Sequence, residues 1–540
     1  MPRLGLKILK PKILVLRRKR LMKHGKTPKR LLPVRKLRKV LKSGARRKNR
    51  FSCGGTGQIH TTRSGLGMQF VSTSTCSTCH GKGQIIESPC PVCSGTGRVR
   101  NKRKITVNVP AGADSGMRFK GREDWQQKEA LAIVALGWLA AAIFGAIPFL
   151  FEGVSFIDAV FETMSGFTST GSSILMNIES YSRGLLFWRS FTAWLGGMGI
   201  IVLFIAVLPK LGVAGRQLFR AEAPGPTEDK LKPRIRETAR ILWTLYVLIS
   251  ALEVVALMLG GMSLYDALNH TFACMACGGF STYNAGIEAF HSPVIEFILT
   301  FFMFIAGANF ALYYRAIHVN KFVLFRDEEF RTYSFLILGF TGLLALVLFK
   351  DMGFSPFNSF RYAIFQITSV MTATGFASTD FNMWKDSAKI LVLSVMFIGG
   401  CAGSTGGGMK VVRFLLMLKY ARRELFKFVH PRLVRPIRFN NKAVPEDILQ
   451  SILSFVVLYI GVFVVGTVLL TLLGVDMVSA ITASITTLGN IGPGFNIVGP
   501  MANFESIPPL GKIILISNMW VGRLEVYTVL VLFTREFWHS

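Results

Sequence analysis

The chain has 540 residues, 51% of them hydrophobic, and carries 63 Lys and Arg against 30 Asp and Glu, for a formal net charge of +33. A positive mean hydropathy over that length excludes an ordinary soluble protein and predicts an all-α polytopic membrane protein. The excess of basic residues is concentrated at the amino terminus and in a few loops, so it describes segments rather than the whole surface.

Residues 1–50 hold 21 Lys and Arg and no acid, and the first acidic residue is Glu87. Such a stretch is expected to be a disordered, solvated tail, of a composition that attracts anionic lipid or nucleic acid. It lacks the apolar core and small-residue end of a cleavable signal peptide. Residues 51–123 are rich in Gly, Cys, Ser and Thr and contain five of the eight cysteines, Cys53, Cys76, Cys79, Cys90 and Cys93. Cys76-x-x-Cys79-x-Gly-x-Gly and Cys90-x-x-Cys93-x-Gly-x-Gly are paired knuckles of the kind that hold tetrahedral zinc. The other three cysteines, Cys274, Cys277 and Cys401, fall at membrane depth, where Cys274 and Cys401 read as small apolar packing.

Residues 124–540 form the membrane domain. Eight apolar runs are long enough to span, near 129–151, 184–208, 237–260, 294–316, 332–350, 388–420, 446–473 and 509–536. Between the members of each successive pair lies a segment too short to span, beginning at Ser155, Ser263, Pro356 and Asp476. The chain is therefore expected to comprise four repeats, about 129–208, 237–316, 332–420 and 446–536, each a helix, a half-helix, a turn and a helix. Parity puts all inter-repeat loops on one side with the amino terminus. Those loops, 209–240, 313–333 and 409–446, are strongly basic, while the opposite loops 261–293 and 472–511 have no Lys or Arg. By the positive-inside rule both termini are cytoplasmic and the half-helices enter from outside.

The turns after the half-helices read Thr168-Ser169-Thr170-Gly171-Ser172, Ala276-Cys277-Gly278-Gly279-Phe280, Thr372-Ala373-Thr374-Gly375-Phe376 and Gly489-Asn490-Ile491-Gly492-Pro493. Irregular backbone at membrane depth leaves carbonyls unsatisfied in lipid, at several kcal/mol each, and is tolerated only where it lines a wet cavity or holds an ion. A half-helix ending at mid-membrane points the negative end of its dipole at the pathway, and the next carbonyls replace the hydration shell of a cation. Glycine permits the backbone angles this requires. The expected filter is Thr170 and Gly171, Cys277 and Gly278, Thr374 and Gly375, and Ile491 and Gly492.

These motifs carry a resemblance. SGFTSTG from Ser165, WLGGMGIIV from Trp194, LFRAEAPGP from Leu218, CGGFST from Cys277 and GANFALYYR from Gly307 are similar to stretches of the TrkH family of bacterial potassium-uptake proteins, in the Trk/Ktr/HKT superfamily. So are TATGF from Thr372, FIGGCAGSTGGGMKVVR from Phe397, TLGNIGPGF from Thr487 and VGRLEVYTVLVLF from Val521. The resemblance covers residues 129–540. It implies four non-identical repeats around one pore, potassium as the transported ion, the bacterial inner membrane, a homodimer, and a cytosolic nucleotide-binding regulatory subunit of the TrkA type. In related plant transporters a serine at the first filter position accompanies sodium transport; here that position is Gly171, which favours potassium. Cys277 departs from the small hydroxyl residue usual in the family. No catalytic residues and no enzyme activity are expected.

The sixth apolar run is interrupted by Gly399-Gly400-Cys401-Ala402-Gly403-Ser404-Thr405-Gly406-Gly407-Gly408, which cannot continue a helix at about 1 kcal/mol per glycine. With the resemblance, Gly406, Gly407 and Gly408 are expected to form a mobile gate below the filter. Arg523, costly inside an apolar run, is expected to face the pore there, with Glu525 compensating it. Glu162, Glu253 and Glu296 are expected to pair with neighbours or lie at interfaces, and His270 and His318 to sit at membrane edges.

The cysteine segment resembles the last two of four repeats in the DnaJ cysteine-rich domain, with Cys53-Gly-Gly-Thr-Gly as half of the preceding one and Lys104–Gly121 like the strand that follows. That resemblance implies zinc shared between second and third and between first and fourth repeats. With Arg50 where a cysteine belongs, one site keeps Cys53, Cys76 and Cys79 and the other only Cys90 and Cys93. No J-domain signature is present, and a basic tail joined to a truncated cysteine segment is the pattern of a fused gene fragment. Two rival functions remain open at this stage: a sodium or unselective cation pathway, and a membrane-anchored zinc-binding chaperone-like or nucleic-acid-binding module. The family's usual helix pair before the first repeat is replaced by residues 1–123.

Overall fold

The computed structural model describes residues 127–206, 235–318, 321–430 and 436–539 of the membrane region, and short strands with their flanks between residues 6 and 119. Contacts divide the chain into Met1–Asp124 and Trp125–Ser540.

In the amino-terminal unit, Lys29–Lys39 pairs antiparallel with Arg98–Asn108, and Gln58–Gly65 forms a hairpin with Met68–Thr75. Part of the stretch read as a disordered tail is thus strand. Of the five cysteines, Cys76 lies among the described residues and is buried; Cys53, Cys79, Cys90 and Cys93 lie outside them.

Among the described residues the membrane unit is helices and turns apart from one small hairpin, Arg438–Phe439 with Lys442–Ala443. Among the described residues, Leu131–Phe151, Arg240–Leu259, Glu328–Met352 and Glu446–Leu472 are helical stretches long and apolar enough to cross a membrane. Two expected spans are bent instead. Pro293–Ala306 and Phe310–His318 meet at 90°, and Pro509–Arg523 turns by 117° into Val526–Phe533. The run expected at 388–420 divides into Asp386–Met396 and Val411–Val429, separated by the glycine-rich loop. The break coincides with the glycines between Gly399 and Gly408, which release the hydrogen-bond ladder.

The four half-helices are Phe156–Phe167, Leu264–Ala276, Pro356–Met371 and Met477–Leu488, of 12, 13, 16 and 12 residues. Each starts on an oxygen cap. Ser155, Ser263, Ser355 and Asp476 accept from the backbone N–H three residues on, at 3.3, 3.1, 3.3 and 3.0 Å. A cap of this type stabilises a helix start by about 1 kcal/mol. It fixes the first turn of helices too short to be stable alone.

Packing completes their support. The second half-helix is buried in a cluster with Ala193, Tyr246, Leu299 and Phe310. The first and fourth share a cluster that includes Phe161, Met164, Ala480, Ala483 and Met519. The third packs with Tyr333, Val392 and Phe381. Side-chain fit, rather than water exclusion, holds helices together in lipid, and the many buried alanines allow it.

Candidate ion pathway

All four half-helices end in the same backbone device. The first or second residue past the helix is left-handed: Ser169 at φ 51°, Cys277 at 57°, Ala373 at 60° and Asn490 at 53°. The next residue donates its N–H five residues back, Thr170 to Ser165, Gly278 to Ala273, Thr374 to Ser369 and Ile491 to Thr486, at 2.7 to 2.8 Å. A glycine at positive φ follows: Gly171 at 85°, Gly279 at 56°, Gly375 at 83° and Gly492 at 105°. The left-handed region costs an L-residue about 1 kcal/mol or more, so four successive non-glycine examples are held by their surroundings.

This pattern corrects the register expected in the second repeat. Gly279, not Gly278, is equivalent to Gly171, Gly375 and Gly492, and Gly278 takes the place of Thr170. Cys277 is therefore equivalent to Ser169 rather than to a residue preceding the key glycine. Two adjacent glycines and the absence of a hydroxyl landmark hide the shift in the sequence.

The turns close on one another. A Cβ built on Gly171 would lie 2.5 Å from the Gly278 carbonyl oxygen, and one on Gly492 would lie 2.8 Å from that of Thr170. Gly279 presses in the same way on the Thr374 carbonyl and Gly375 on that of Ile491. First meets second, second third, third fourth and fourth first, so the four turns form a closed ring in chain order. Side chains tie it further. Asn490 donates to Thr170 Oγ1 at 2.9 Å and to the Met519 carbonyl at 3.1 Å, and Ser172 donates to the Gly492 carbonyl at 3.1 Å. The pairs Thr168–Thr170 and Thr372–Thr374 each share a hydrogen bond of 2.7 Å, the same contact in opposite repeats.

The glycine-rich loop touches the second, third and fourth turn regions and reaches the first through Arg523. A Cβ on Gly406 would meet the Thr372 carbonyl at 2.6 Å, and one on Gly407 that of Gly489 at 2.5 Å. Thr405 Oγ1 donates to the Met275 carbonyl at 2.9 Å and lies 3.2 Å from Cys277 Sγ. Arg523 donates to the Thr405 carbonyl at 2.8 Å and to Ser169 Oγ at 3.1 Å, joining loop to first turn. Lys410 Nζ donates to the Gly406 carbonyl. Gly408, also at positive φ, lies beside Gly399 where the loop closes, and the Gly399 N–H donates to the Met409 carbonyl at 2.8 Å. Beneath, Glu329 accepts from the N–H groups of Ala402 and Val412 at 2.8 and 3.2 Å. Lys410, Thr405 and Glu329 were not singled out in the sequence, because none breaks its local pattern.

Arg523 is buried, as its place in an apolar run requires, but its expected carboxylate partner is engaged elsewhere. Glu525 pairs with Arg413 at 2.5 Å, because the chain turns sharply after Arg523 and Glu525 itself sits at φ 68°. Glu162 and Glu296 are both paired, with Arg189 at 2.6 Å and Arg361 at 3.1 Å. The Glu162 carboxylate also accepts from the Ile174 N–H at 2.9 Å, and Arg189 donates to the Ser281 carbonyl at 3.0 Å, so this pair braces the chain leaving the first two turns. Glu253 is buried within its helix. His270 is fully buried, its ring bridging the Asp266 carbonyl and Ser281 Oγ at 2.8 and 3.0 Å. His318 stacks on Tyr314 near the end of its helix. Among the described residues no group of His, Cys, Asp and Glu converges as a metal centre.

Capped half-helices meeting in a ring of glycine turns define a multi-pass helical membrane protein with a pseudo-fourfold centre. The chain belongs to the TrkH family, whose profile, described as cation transport protein, matches residues 103–540. It is 43% identical over 427 residues to the Trk system potassium uptake protein TrkH of Escherichia coli K12, covering 78% of this chain and 88% of that protein. It is 32% identical over 418 residues to TrkG of the same strain, covering 76% and 86%. The crystal structure of the potassium transporter TrkH from Vibrio parahaemolyticus superposes with a TM-score of 0.71 at 37% identity, covering 77% of this chain and 87% of that one. Residues 40–97 match the DnaJ central domain. The family is one of transporters, and the chain is not an enzyme.

Proposed function

We propose that the protein takes up potassium across a bacterial inner membrane, with both termini cytoplasmic. The ion enters from outside, loses its water at the ring formed by Thr170–Gly171, Gly278–Gly279, Thr374–Gly375 and Ile491–Gly492, and continues inward past the loop at Gly406–Gly408 and Arg523. The observation that carries this reading is the ring itself. Four turns of equal backbone conformation pack each glycine against a carbonyl of the next repeat, leaving no room for side chains at the contact. Half-helix carboxyl ends favour a cation there, and backbone oxygens supply ligands without a fixed charge that would hold the ion too tightly.

The loop and Arg523 act as the gate in this reading. Loop contacts to three turns, a bridge through Arg523 to the fourth, and a buried guanidinium that no carboxylate among the described residues pairs with, support a closed state. A positive charge below the ring raises the barrier to a cation. A homodimer and a cytosolic nucleotide-binding subunit that shifts the loop complete the proposal. Residues 1–123 are a fused segment outside the transport function.

The test is rescue of a potassium-uptake-deficient bacterial strain on low potassium by the full chain and by residues 124–540. Rubidium uptake competed by potassium and not by sodium is expected from both. Failure of both despite membrane insertion, or competition by sodium, overturns the proposal.

A further inference from the structure

A second site lies away from the ring, at the end of helix Val411–Val429. A cavity of about 490 Å³ is lined there by Lys419, Arg422, Arg423 and Phe426 of that helix, Arg438 of the small hairpin, and Glu328. Two of its cations are already neutralised. Lys419 pairs with Glu328 at 2.5 Å, and Arg423 binds Glu446 through both terminal nitrogens at 2.8 and 2.7 Å. Arg422 and Arg438 are exposed, and no carboxylate among the described residues pairs with either. Two arginines left over at one cavity form a site for an anion with several oxygens, since the guanidinium fork matches phosphate geometry.

The surroundings select the source of that anion. Leu418, Leu425 and Val429 follow one another at helical spacings of seven and four and share a face. That face is exposed, Leu425 by 70% and Val429 by 72%. Arg422, one turn from both Leu418 and Leu425, sits at its border. An apolar strip beside an unneutralised basic cavity suits a molecule that is greasy on one side and anionic on the other, and a soluble phosphate compound has no use for the strip.

We propose that this cavity binds the phosphate headgroup of an anionic phospholipid, whose acyl chains run along Leu418, Leu425 and Val429. Arg422 and Arg438 hold the phosphodiester, and the paired Lys419 and Arg423 shape the cavity walls. The site is separate from the ring and does not depend on which ion the protein carries. It would fasten the helix that leaves the glycine-rich loop to the membrane surface.

The experiment is native mass spectrometry of the purified full chain in detergent, titrated with phosphatidylglycerol, with phosphatidylcholine, and with inorganic phosphate. The wild type is expected to retain one phosphatidylglycerol in preference to phosphatidylcholine, and millimolar phosphate should not displace it. Arg422→Gln with Arg438→Gln should weaken that retention about 30-fold, as expected for two basic groups at a membrane surface. Arg422→Lys with Arg438→Lys should restore most of it. Both residues are exposed, so folding is checked by gel filtration and thermal denaturation of each variant. Equal retention of the two lipids, retention unaffected by the double glutamine variant, or displacement of lipid by phosphate would overturn the proposal.

Discussion

Replacing Gly279 and Gly278 one at a time with alanine tests the geometry of the ring at single-residue resolution. Gly279 has φ 56°, and its missing Cβ would overlap the Thr374 carbonyl oxygen. Alanine there incurs the left-handed penalty of about 1–2 kcal/mol and an overpacking cost of about 1–3 kcal/mol. Together these amount to about 2–5 kcal/mol against the intact ring, or at least tenfold in its population. Gly278 is not at positive φ, and its nearest obstacle is Ala193 Cβ at 3.2 Å, with Ser169 Cα at 3.3 Å. A shift of a few tenths of an ångström accommodates it, for about 1 kcal/mol or less. The assay is rubidium uptake in cells lacking other potassium uptake, normalised to membrane abundance, with sodium as competitor. Gly279→Ala should lose most uptake or its selectivity, and Gly278→Ala should retain most of both. The opposite ranking would refute the ring register and restore Gly278 to the position the sequence suggested.

Three further outcomes are expected. Arg523→Ala removes the donors to Thr405 and Ser169 and should raise basal rubidium flux several-fold; wild-type flux and gating would argue against a barrier role. Glu162→Gln leaves Arg189 buried without its counter-charge, which costs about 3–5 kcal/mol and should show as a lower unfolding temperature in detergent and reduced abundance. Glu446, the first residue of its helix, is held by Arg423 through both terminal nitrogens. Glu446 is exposed and the buried Arg423 keeps Glu424 at 2.9 Å, so Glu446→Gln should cost about 1 kcal/mol or less, read as a small fall in melting temperature at pH 7.

Much of the architecture was legible because the physics of a bilayer is strict. Runs of apolar residues, interrupted at regular order by caps and glycines, leave few folds available, and the four caps stand within one residue of the expected starts. The ring was legible except in its second quarter. Gly171 and Gly492 each follow their caps, Ser155 and Asp476, by sixteen residues, and sixteen from Ser263 is Gly279. Counting from the cap would have found it; matching glycine to glycine did not. The third half-helix has 16 residues and breaks that count, so only backbone conformation aligns all four. The ion pairs were less legible, since pairing depends on approach between distant segments. Glu525 lies two residues from Arg523 yet meets Arg413, 112 positions away. Nothing local distinguishes Glu329 or Lys410 from any charge at a helix end.

The contacts between neighbouring turns have a consequence for how such a molecule can change. In an assembly of identical subunits, one codon alters every corner of the centre at once. Here each corner is written separately, as threonine, glycine, threonine and isoleucine before its glycine. A single substitution therefore edits one quarter and leaves the other three intact. Each corner can therefore change by a small, independent step, and the four are already unequal in the residue before the glycine.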